Sequence, residues 1–589
     1  MAASARSSMA SSTASSTAQP VISQPAELRN APPWQEGWEL LVGPLGGRSV
    51  VCLDDGGPAV TALAQRCARV RVLAADGRSA DELAQRVRAH GWTHVEVIAL
   101  DDLHRAAPIA FDGLVVSDLS GRALAKVRGG LGRLLTHARP LLRDGAFVLL
   151  ATPNRFGLSR ERLTRGLRGA SAWPWFTLAS QLRRLGVRAP RVHPLLLNEY
   201  AGISEAIAPT GYLPTKNQGL TRERIKQWLW GPRAARWFAP ALAAVGWIGD
   251  PQPGLIDAVA LTLQAGGSQF QWVQYLVLLS GKVIATFRPD SDRETSRVVV
   301  ITRDPLAVAR RVQEAESLRR LHALLPAHLG VLLPRVLDRF KLDGNDCFVL
   351  QHMRGVTADA PVPGLERVTR TAQRFLLALH EVTCVKRVMD DEAWETSLQP
   401  IFESAVLRNP QAAPTLRRLA QHMREHVLGH VWLDVCSHGD FKIENVMYDP
   451  QTCEITGVID WEHAMLCGLP YIDMAYLLTY NRMLGGESWL QAARALLAGR
   501  VSPNELAVEA EYWRATRLPE RLVPVLRALV VVHHIGCRWH GQWSTQASAE
   551  LNALIESCIE LLVRSPAPAA LASVLPAAPA PRAAARPLT

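Results

Sequence analysis

The sequence predicts an α/β doubly wound parallel sheet followed by an α+β, two-lobed domain. Three observations carry this. Strand-like and helix-like runs alternate from residue 40 to 150. A stretch bearing Gly and Pro at 250–270 then interrupts the pattern. Beyond it come closely spaced strand-like runs and, after about residue 352, mostly helical periodicity. Strands alternating with helices imply parallel pairing with covered faces, whereas adjacent strands followed by helices imply a segregated α+β unit.

In the first half, Ser49–Leu53 is a short apolar run, followed by helical spacing over Val60–Val70 and a second run at Val70–Ala75. Ala80–Ala89 is helical, Val95–Leu100 and Phe111–Val116 are strand-like, and Leu124–Leu142 has the spacing of one long amphipathic helix. Asp144-Gly145 marks a turn before a fifth strand, Ala146–Ala151. Each crossover is long enough for parallel, right-handed connection. Residues 152–250 are less regular, with Trp, Pro and Gly between short helical pieces. In the second half, Trp272–Leu279, Lys282–Phe287, Val298–Thr302 and Cys347–Gln351 are strand-like, with a helix over Pro305–Leu325.

The expected organisation is a disordered leader at 1–35, a first domain at 36–252, a second at 268–564 and a Pro/Ala-rich disordered tail at 565–589. A chain of 589 residues exceeds what one core ordinarily serves. With 48% hydrophobic and 20% charged residues, it has globular composition. The net charge of +11 is spread along the chain without a long basic block, so no nucleic-acid partner is expected. No apolar run approaches the roughly 18 residues that a membrane span requires. Nine cysteines without a Cys-x-x-Cys pair suit a reducing compartment, and the expected location is the cytoplasm.

Chemistry concentrates in Ser437-His-Gly-Asp-Phe-Lys-Ile-Glu-Asn-Val-Met447 and the strand that follows. Phosphoryl transfer needs a carboxylate to orient the attacking hydroxyl, oxygen ligands for Mg²⁺ and a cation for the transferred phosphate. Asp440 and Asn445 are separated by four residues on one short loop, and the apolar run Ile455–Ile459 leads into Asp460. Phe441 is placed to anchor the loop in the core.

His438-Gly-Asp440 with Asn445, then Gly457-Val-Ile-Asp-Trp-Glu462, Gly468-Leu-Pro470 and Asp473-Met-Ala475, resembles the aminoglycoside phosphotransferase and choline kinase family. The resemblance implies a protein-kinase-like fold over about 290 residues. It implies Asp440 as the catalytic base, Asn445 and Asp460 as Mg²⁺ ligands with ATP, and Asp473 as a buried structural aspartate. Leu376-Leu-Ala-Leu-His380 matches the family's helix motif before the catalytic loop. Lys442 resembles the lysine of the serine/threonine kinase catalytic loop, which contacts the γ-phosphate. The family's lysine on the third strand is missing, since that strand reads Arg297-Val-Val-Val-Ile-Thr-Arg303. Glu314 stands where the family places the lysine's glutamate partner, and here its partner is Arg297, Arg303 or none. Gln351 and Met353 complete the candidate nucleotide contacts.

The first half has a glycine turn, Asp54-Asp-Gly-Gly-Pro58, at the end of its first strand. Asp76 ends the second strand and Asp101 the third, so carboxylates line the crevice where doubly wound sheets bind ligands. This order, with Leu142-Arg-Asp-Gly145 before the fifth strand, resembles class I S-adenosylmethionine-dependent methyltransferases. The resemblance implies Asp54, Gly56, Gly57, Asp76 and Asp101 as the cofactor-binding set. The usual Gly-x-Gly-x-Gly loop is replaced, which leaves a scaffold role open.

His533-His534 and the tryptophans have the spacing of packing residues. Taken together, the sequence points to a bifunctional enzyme that phosphorylates a hydroxyl of a small-molecule or glycan acceptor with ATP and carries a methyltransferase-like half. The alternatives are a ligand-binding or regulatory protein built on two degenerate folds, or an enzyme whose only activity lies in the first half.

Overall fold

A computed structural model describes residues 39–565, apart from 54–57, 106–108, 119–121, 156–171, 198–202, 208–238, 240, 265–267, 279–281, 292–294, 359–363, 501 and 539–544. The expected leader and nearly all of the expected tail lie outside the described residues, as do Asp54, Gly56 and Gly57.

The alternating pattern of the first half becomes five parallel strands: β1 (Ser49–Leu53), β2 (Arg69–Ala74), β3 (Val95–Ala99), β4 (Phe111–Ser117) and β5 (Leu142–Pro153). β1 and most of β2 are buried on both faces, as parallel strands covered by helices must be. Helices α1 (Gly77–Ala89) and α2 (Gly130–Ala138) are among those covers. The single helix expected over Leu124–Leu142 is broken. A short helix, Arg122–Lys126, stops before Gly129 and Gly130, whose φ angles are +84° and +63°. That left-handed pair ends one helix and starts the next, a conformation glycine adopts without a Cβ penalty.

The irregular region holds three further strands: β6 (Arg191–Leu197), β7 (Ile203–Ile207) and β8 (Ala241–Trp247). β8 runs antiparallel to β5, and β6 antiparallel to β8. The resulting order, β3-β2-β1-β4-β5-β8-β6-β7, is a mostly parallel sheet in which β8 and β7 run opposite to the rest, the methyltransferase-like arrangement expected.

The second half begins with β9 (Phe270–Leu278), β10 (Val283–Pro289) and β11 (Arg297–Thr302), joined antiparallel, with β13 (Asn345–Gln351) and β12 (Val336–Leu342) beyond. Helix α4 (Pro305–Leu324), following helix α3 (Leu255–Thr262) in the chain, packs alongside and is capped by Asp304. The rest forms a helical lobe, including α5 (Leu365–Thr383), α6 (Ile472–Leu484), α7 (Trp489–Leu497), α8 (Pro503–Thr516) and α9 (Val523–Arg538). Small sheets β14 (Val385–Val388), β15 (Val431–Ser437) with β18 (Met465–Gly468), and β16 (Val446–Tyr448) with β17 (Ile455–Val458) complete it. An antiparallel sheet beside a helical lobe is the two-lobed, kinase-like fold.

The expectation of a separating stretch between 252 and 268 needs correcting. α3 occupies it, and its Leu255, Ile256 and Val259 are buried. More consequentially, β9 pairs antiparallel with β7, so one 13-stranded sheet runs through both halves. A single apolar cluster joins Val50, Val72 and Leu149 of the first half to Tyr275, Phe287 and Val299 of the second. An edge strand leaves a row of unpaired backbone groups, and each half covers the other's.

Candidate active site

β15 delivers the chain to a tight loop. His438 N–H donates to Asp473 Oδ2 at 2.6 Å and Gly439 N–H to Asp473 Oδ1 at 2.8 Å. Gly439 has φ +75°, and a Cβ there would lie 2.4 Å from the His463 carbonyl oxygen, so glycine is required. The His438 ring bridges Ile459 O, 2.9 Å from Nε2, and receives the Asp440 N–H at Nδ1, 3.2 Å away. Phe441 is fully buried and stacks at 6.1 Å on Phe375 of α5. The loop is thus pinned from both ends before any substrate arrives.

On this frame Asp440 is 1% exposed. Asn445 Nδ2 donates to the Asp440 carbonyl at 2.9 Å and to Asp440 Oδ2 at 3.2 Å. With its amide nitrogen so committed, Asn445 has Oδ1 as the atom suited to a cation. Ile459 N–H donates to Asn445 O at 2.9 Å, which locks β17 and the following Asp460 against the loop. Asp460 sits in the left-handed region, φ +67°, with a side chain 35% exposed. An amide oxygen and a carboxylate are hard oxygen donors that fit Mg²⁺, an ion which takes only one or two protein carboxylates when it also binds phosphates. Asn445 and Asp460 are the two oxygen donors here that could hold such an ion. No cluster of three or more His, Cys, Asp or Glu suited to a metal occurs among the described residues. Lys442 Nζ lies 3.6 Å from Asp440 Oδ2 and 3.4 Å from Glu444, over the Tyr480 ring.

Glu314 does not depend on strand β11 for its partner. Arg311, one helical turn earlier on α4, donates to it at 2.6 Å, and Trp461 N–H donates at 3.0 Å. Arg297, by contrast, donates to Leu263 O and lies over the Phe270 ring, while Arg303 binds Asn345 and Asp343. The same Arg311 reaches Asp460 Oδ1 at 3.2 Å and Glu462 at 3.0 Å. Lys282, one residue before β10, forms a hydrogen-bonded ion pair with Glu462. Burial pushes the Asp460 carboxyl up, but the Arg311 and Lys282 charges outweigh it and hold it below the usual carboxylate range. Burial raises Glu314, only partly offset by Arg311. Buried deepest, Asp473 is pushed up to about 7, against the pull of the backbone N–H groups it accepts.

The motif residues of the loop and of β17 come together, with Asp473 beneath them. Met353 is buried and packs against Gly457 on β17, just before Asp460, and Gln351 is half-buried at the end of β13. Lys282, Arg311 and Glu462 were missed as a charge cluster. The available signal was weak: a lone lysine beside a glycine between two strand runs, and an arginine three residues before Glu314. A cavity of about 600 Å³, lined by Glu366, Arg370, Arg482 and Arg500 among others, is a separate feature, since its walls include none of Asp440, Asn445 or Asp460.

In the first half, the described carboxylates are already engaged. Asp76 caps α1, accepting from Ser79 N–H at 2.7 Å, and this hydrogen bond holds it below its ordinary range. Asp101 forms an exposed ion pair with Arg133 at 3.4 Å. Asp118, after β4, is buried and accepts from Leu124 N–H at 2.8 Å. The histidine pair of α9 is structural: His533 bonds Tyr476 at 2.8 Å, and His534 stacks on Trp489 at 3.8 Å.

Two lobes, with a buried carboxylate and two oxygen donors on the loop between them, define a kinase-like phosphotransferase site. Comparison with known proteins agrees: residues 278–533 match the model of the phosphotransferase enzyme family, and this part of the chain is a domain of that family. Streptomycin 3''-kinase of Streptomyces griseus is 29% identical over 205 residues, which are 33% of this chain and 71% of that protein. Acyl-CoA dehydrogenase family member 10 of Mus musculus is 28% identical over 164 residues, 26% of this chain and only 15% of the mouse protein. Human acyl-CoA dehydrogenase family member 11 is matched over 18% of its length. Among solved structures, aminoglycoside phosphotransferase APH(3'')-Id from Streptomyces rimosus is 22% identical, covers 46% of this chain and 96% of its own, and has a TM-score of 0.30. A SAM dependent methyltransferase from Archaeoglobus fulgidus is 13% identical over 34% of this chain and 87% of its own, with a TM-score of 0.25.

Proposed function

We propose that the second half transfers the γ-phosphate of ATP to a hydroxyl of a small-molecule or glycan acceptor. The observation that carries this is Asp440, buried, pinned through its backbone and bonded to Asn445, beside the half-buried carboxylate of Asp460. Asp440 orients the acceptor hydroxyl and takes its proton as the new oxygen–phosphorus bond forms. The bond from the γ-phosphorus to the bridging oxygen breaks, and ADP leaves. Asn445 and Asp460 would hold the Mg²⁺, which would neutralise phosphate charge, and Lys442, 3.6 Å from Asp440 Oδ2, would add a further cation for the transferred group. Catalysis of this kind rests on positioning and charge neutralisation. The streptomycin kinase likeness makes amino sugars and related hydroxyl compounds the first acceptors to try.

Asp440→Asn keeps the shape and removes the charge. We expect turnover to fall by about 10²–10⁴, the range for a lost general base, with Mg–ATP affinity little changed. Labelled ATP with a panel of acceptors, or ATP hydrolysis alone, reads this. Equal turnover in wild type and Asp440→Asn removes the assignment.

For the first half we propose an S-adenosylmethionine-type site at the strand ends that carry Asp76, Asp101 and Asp118. Its support is topological: these carboxylates follow β2, β3 and β4 at one edge of the parallel sheet. Asp76→Asn preserves the helix cap, since Asn caps as well as Asp, and removes the charge. Ligand binding by calorimetry weakens in this variant while thermal stability holds. No binding of S-adenosylmethionine or its demethylated product to the wild type leaves this half a scaffold.

A cytoplasmic location is part of the same proposal, supported by thiols buried at Cys52, Cys67, Cys347, Cys436 and Cys558. No helix among the described residues is long and apolar enough to cross a membrane.

A further inference from the structure

In kinase-like sites the phosphate-binding lysine stands on the third strand of the small lobe, paired with a helix glutamate. Here that strand, β11, carries no lysine, and the glutamate is already satisfied by Arg311 and by Trp461 N–H. A triphosphate beside Asp460 still needs a cation from this lobe. Two cations reach the spot. Arg311 is spent: one terminal nitrogen bonds Glu314, and the other is shared between Asp460 and Glu462, with the side chain only 5% exposed. It ties the helix of one lobe to the loop of the other.

Lys282 is differently placed. It stands at the end of β10 nearest β9, where Leu278 N–H donates to Lys282 O at 2.8 Å. The adjoining register sets Val283 opposite Ile301, so Lys282 lies beside the end of β11. Its side chain turns into the cleft and meets Glu462, two residues after Asp460. The ammonium has three donors, and the ion pair with Glu462 uses one. An ammonium held 7% exposed costs desolvation, which its ion pair with Glu462 and the nearby Asp460 charge offset.

We propose that Lys282 is the cation that binds the ATP phosphates, moved from the third strand of the small lobe to the start of the second, with Glu462 as the carboxylate that aims it. This rests on the phosphotransferase reading above. Arg311 is a positioning residue in the same cluster, because both terminal nitrogens of its guanidinium are taken by Glu314, Asp460 and Glu462 and the side chain is only 5% exposed.

The test separates phosphate contact from structure. Lys282→Met lowers Mg–ATP affinity about ten- to a hundred-fold, the range for a hydrogen bond to a charged group, and leaves adenosine affinity unchanged. Lys282→Arg, which keeps the charge and the Glu462 pair, stays within a few-fold of wild type in ATP affinity but loses turnover, because the fork does not reproduce the ammonium's geometry. Wild-type protein is also treated with an acyl phosphate of ATP. There the lysine nitrogen attacks the acyl carbon, the carbon–oxygen bond to phosphate breaks, ATP departs and a proton is released to solvent. Peptide mass spectrometry then finds Lys282 acylated, with excess Mg–ATP protecting it and adenosine not. This arm needs no variant and stands even where Lys282→Met fails to fold. Equal Mg–ATP affinity in wild type and Lys282→Met, or acylation confined to other lysines, overturns the proposal. Absence of any Mg–ATP binding by the wild type instead overturns the phosphotransferase reading on which it rests.

Discussion

Asp473 illustrates how a residue remote from chemistry shapes it. It is fully buried and accepts two backbone N–H groups of the catalytic loop. Asp473→Ala orphans both donors, and each buried unsatisfied group costs about 1–3 kcal/mol. We expect a loss of about 2–6 kcal/mol in chemical denaturation, together with lost turnover. A variant as stable as wild type overturns the role. At this scale the sequence was most legible where function is local. Asp440, Asn445 and Asp460 are separated by short, ordered spacings, so the motif alone was enough to expect them near one another. Lys282 meets Glu462 across 180 residues and Arg311 meets Asp460 across 149, and no local pattern encodes such pairs. Glu314 was expected to pair with Arg297, with Arg303 or with neither, and the arginine it meets, Arg311, stands one turn earlier on its own helix.

Elements of the helical lobe are bound by a buried polar chain. Tyr471 N–H donates to Tyr512 Oη at 2.8 Å, and that hydroxyl meets His380 Nδ1 at 3.1 Å, linking α8 to α5. Glu509 of α8 receives Tyr471 Oη–H and, at 2.7–2.8 Å, the Arg527 guanidinium of α9. Burial lowers the His380 ring from 6.5 to about 4. A folded value below the unfolded one means stability is present above pH 6.5 and lost as pH falls through about 4. At about 1.4 kcal/mol per unit, the loss from this group is about 3 kcal/mol. His380→Gln should flatten that part of the profile, seen as a smaller wild-type-minus-variant difference at pH 4.5 than at pH 7.5 in denaturant titrations. A difference independent of pH means that folding does not shift the protonation of His380. Elements themselves were legible where periodicity was long, as in Pro305–Leu325 and the first five strands. β6 and β8 were not, because Pro, Gly and Trp interrupt their alternation, and the glycine pair at 129–130 cut a helix that apolar spacing had extended.

For the whole molecule, the shared sheet decides what can be separated. A chain beginning at residue 268 lacks β7, exposing the edge of β9, and uncovers Tyr275, Val277, Phe287 and Val299 from their common cluster. Unpaired edges with apolar faces aggregate. We expect residues 268–565 alone to be insoluble, and residues 39–565 to be soluble. A soluble, monomeric 268–565 fragment with native-like melting overturns this view of the joint. The sequence suggested two units because the pattern changes between them. Strand pairing across that change depends on backbone groups, which carry no residue signature.

The β7–β9 pairing also has a consequence in time. A ribosome releases the first half before the second, at about 5–20 residues per second. Until Phe270–Leu278 has emerged and docked, Ile203–Ile207 is a nascent edge without its neighbour. For several seconds of each synthesis, the growing polypeptide is therefore a substrate for strand addition by any other chain nearby. Anything that shields this edge during translation has to leave before β9 can dock.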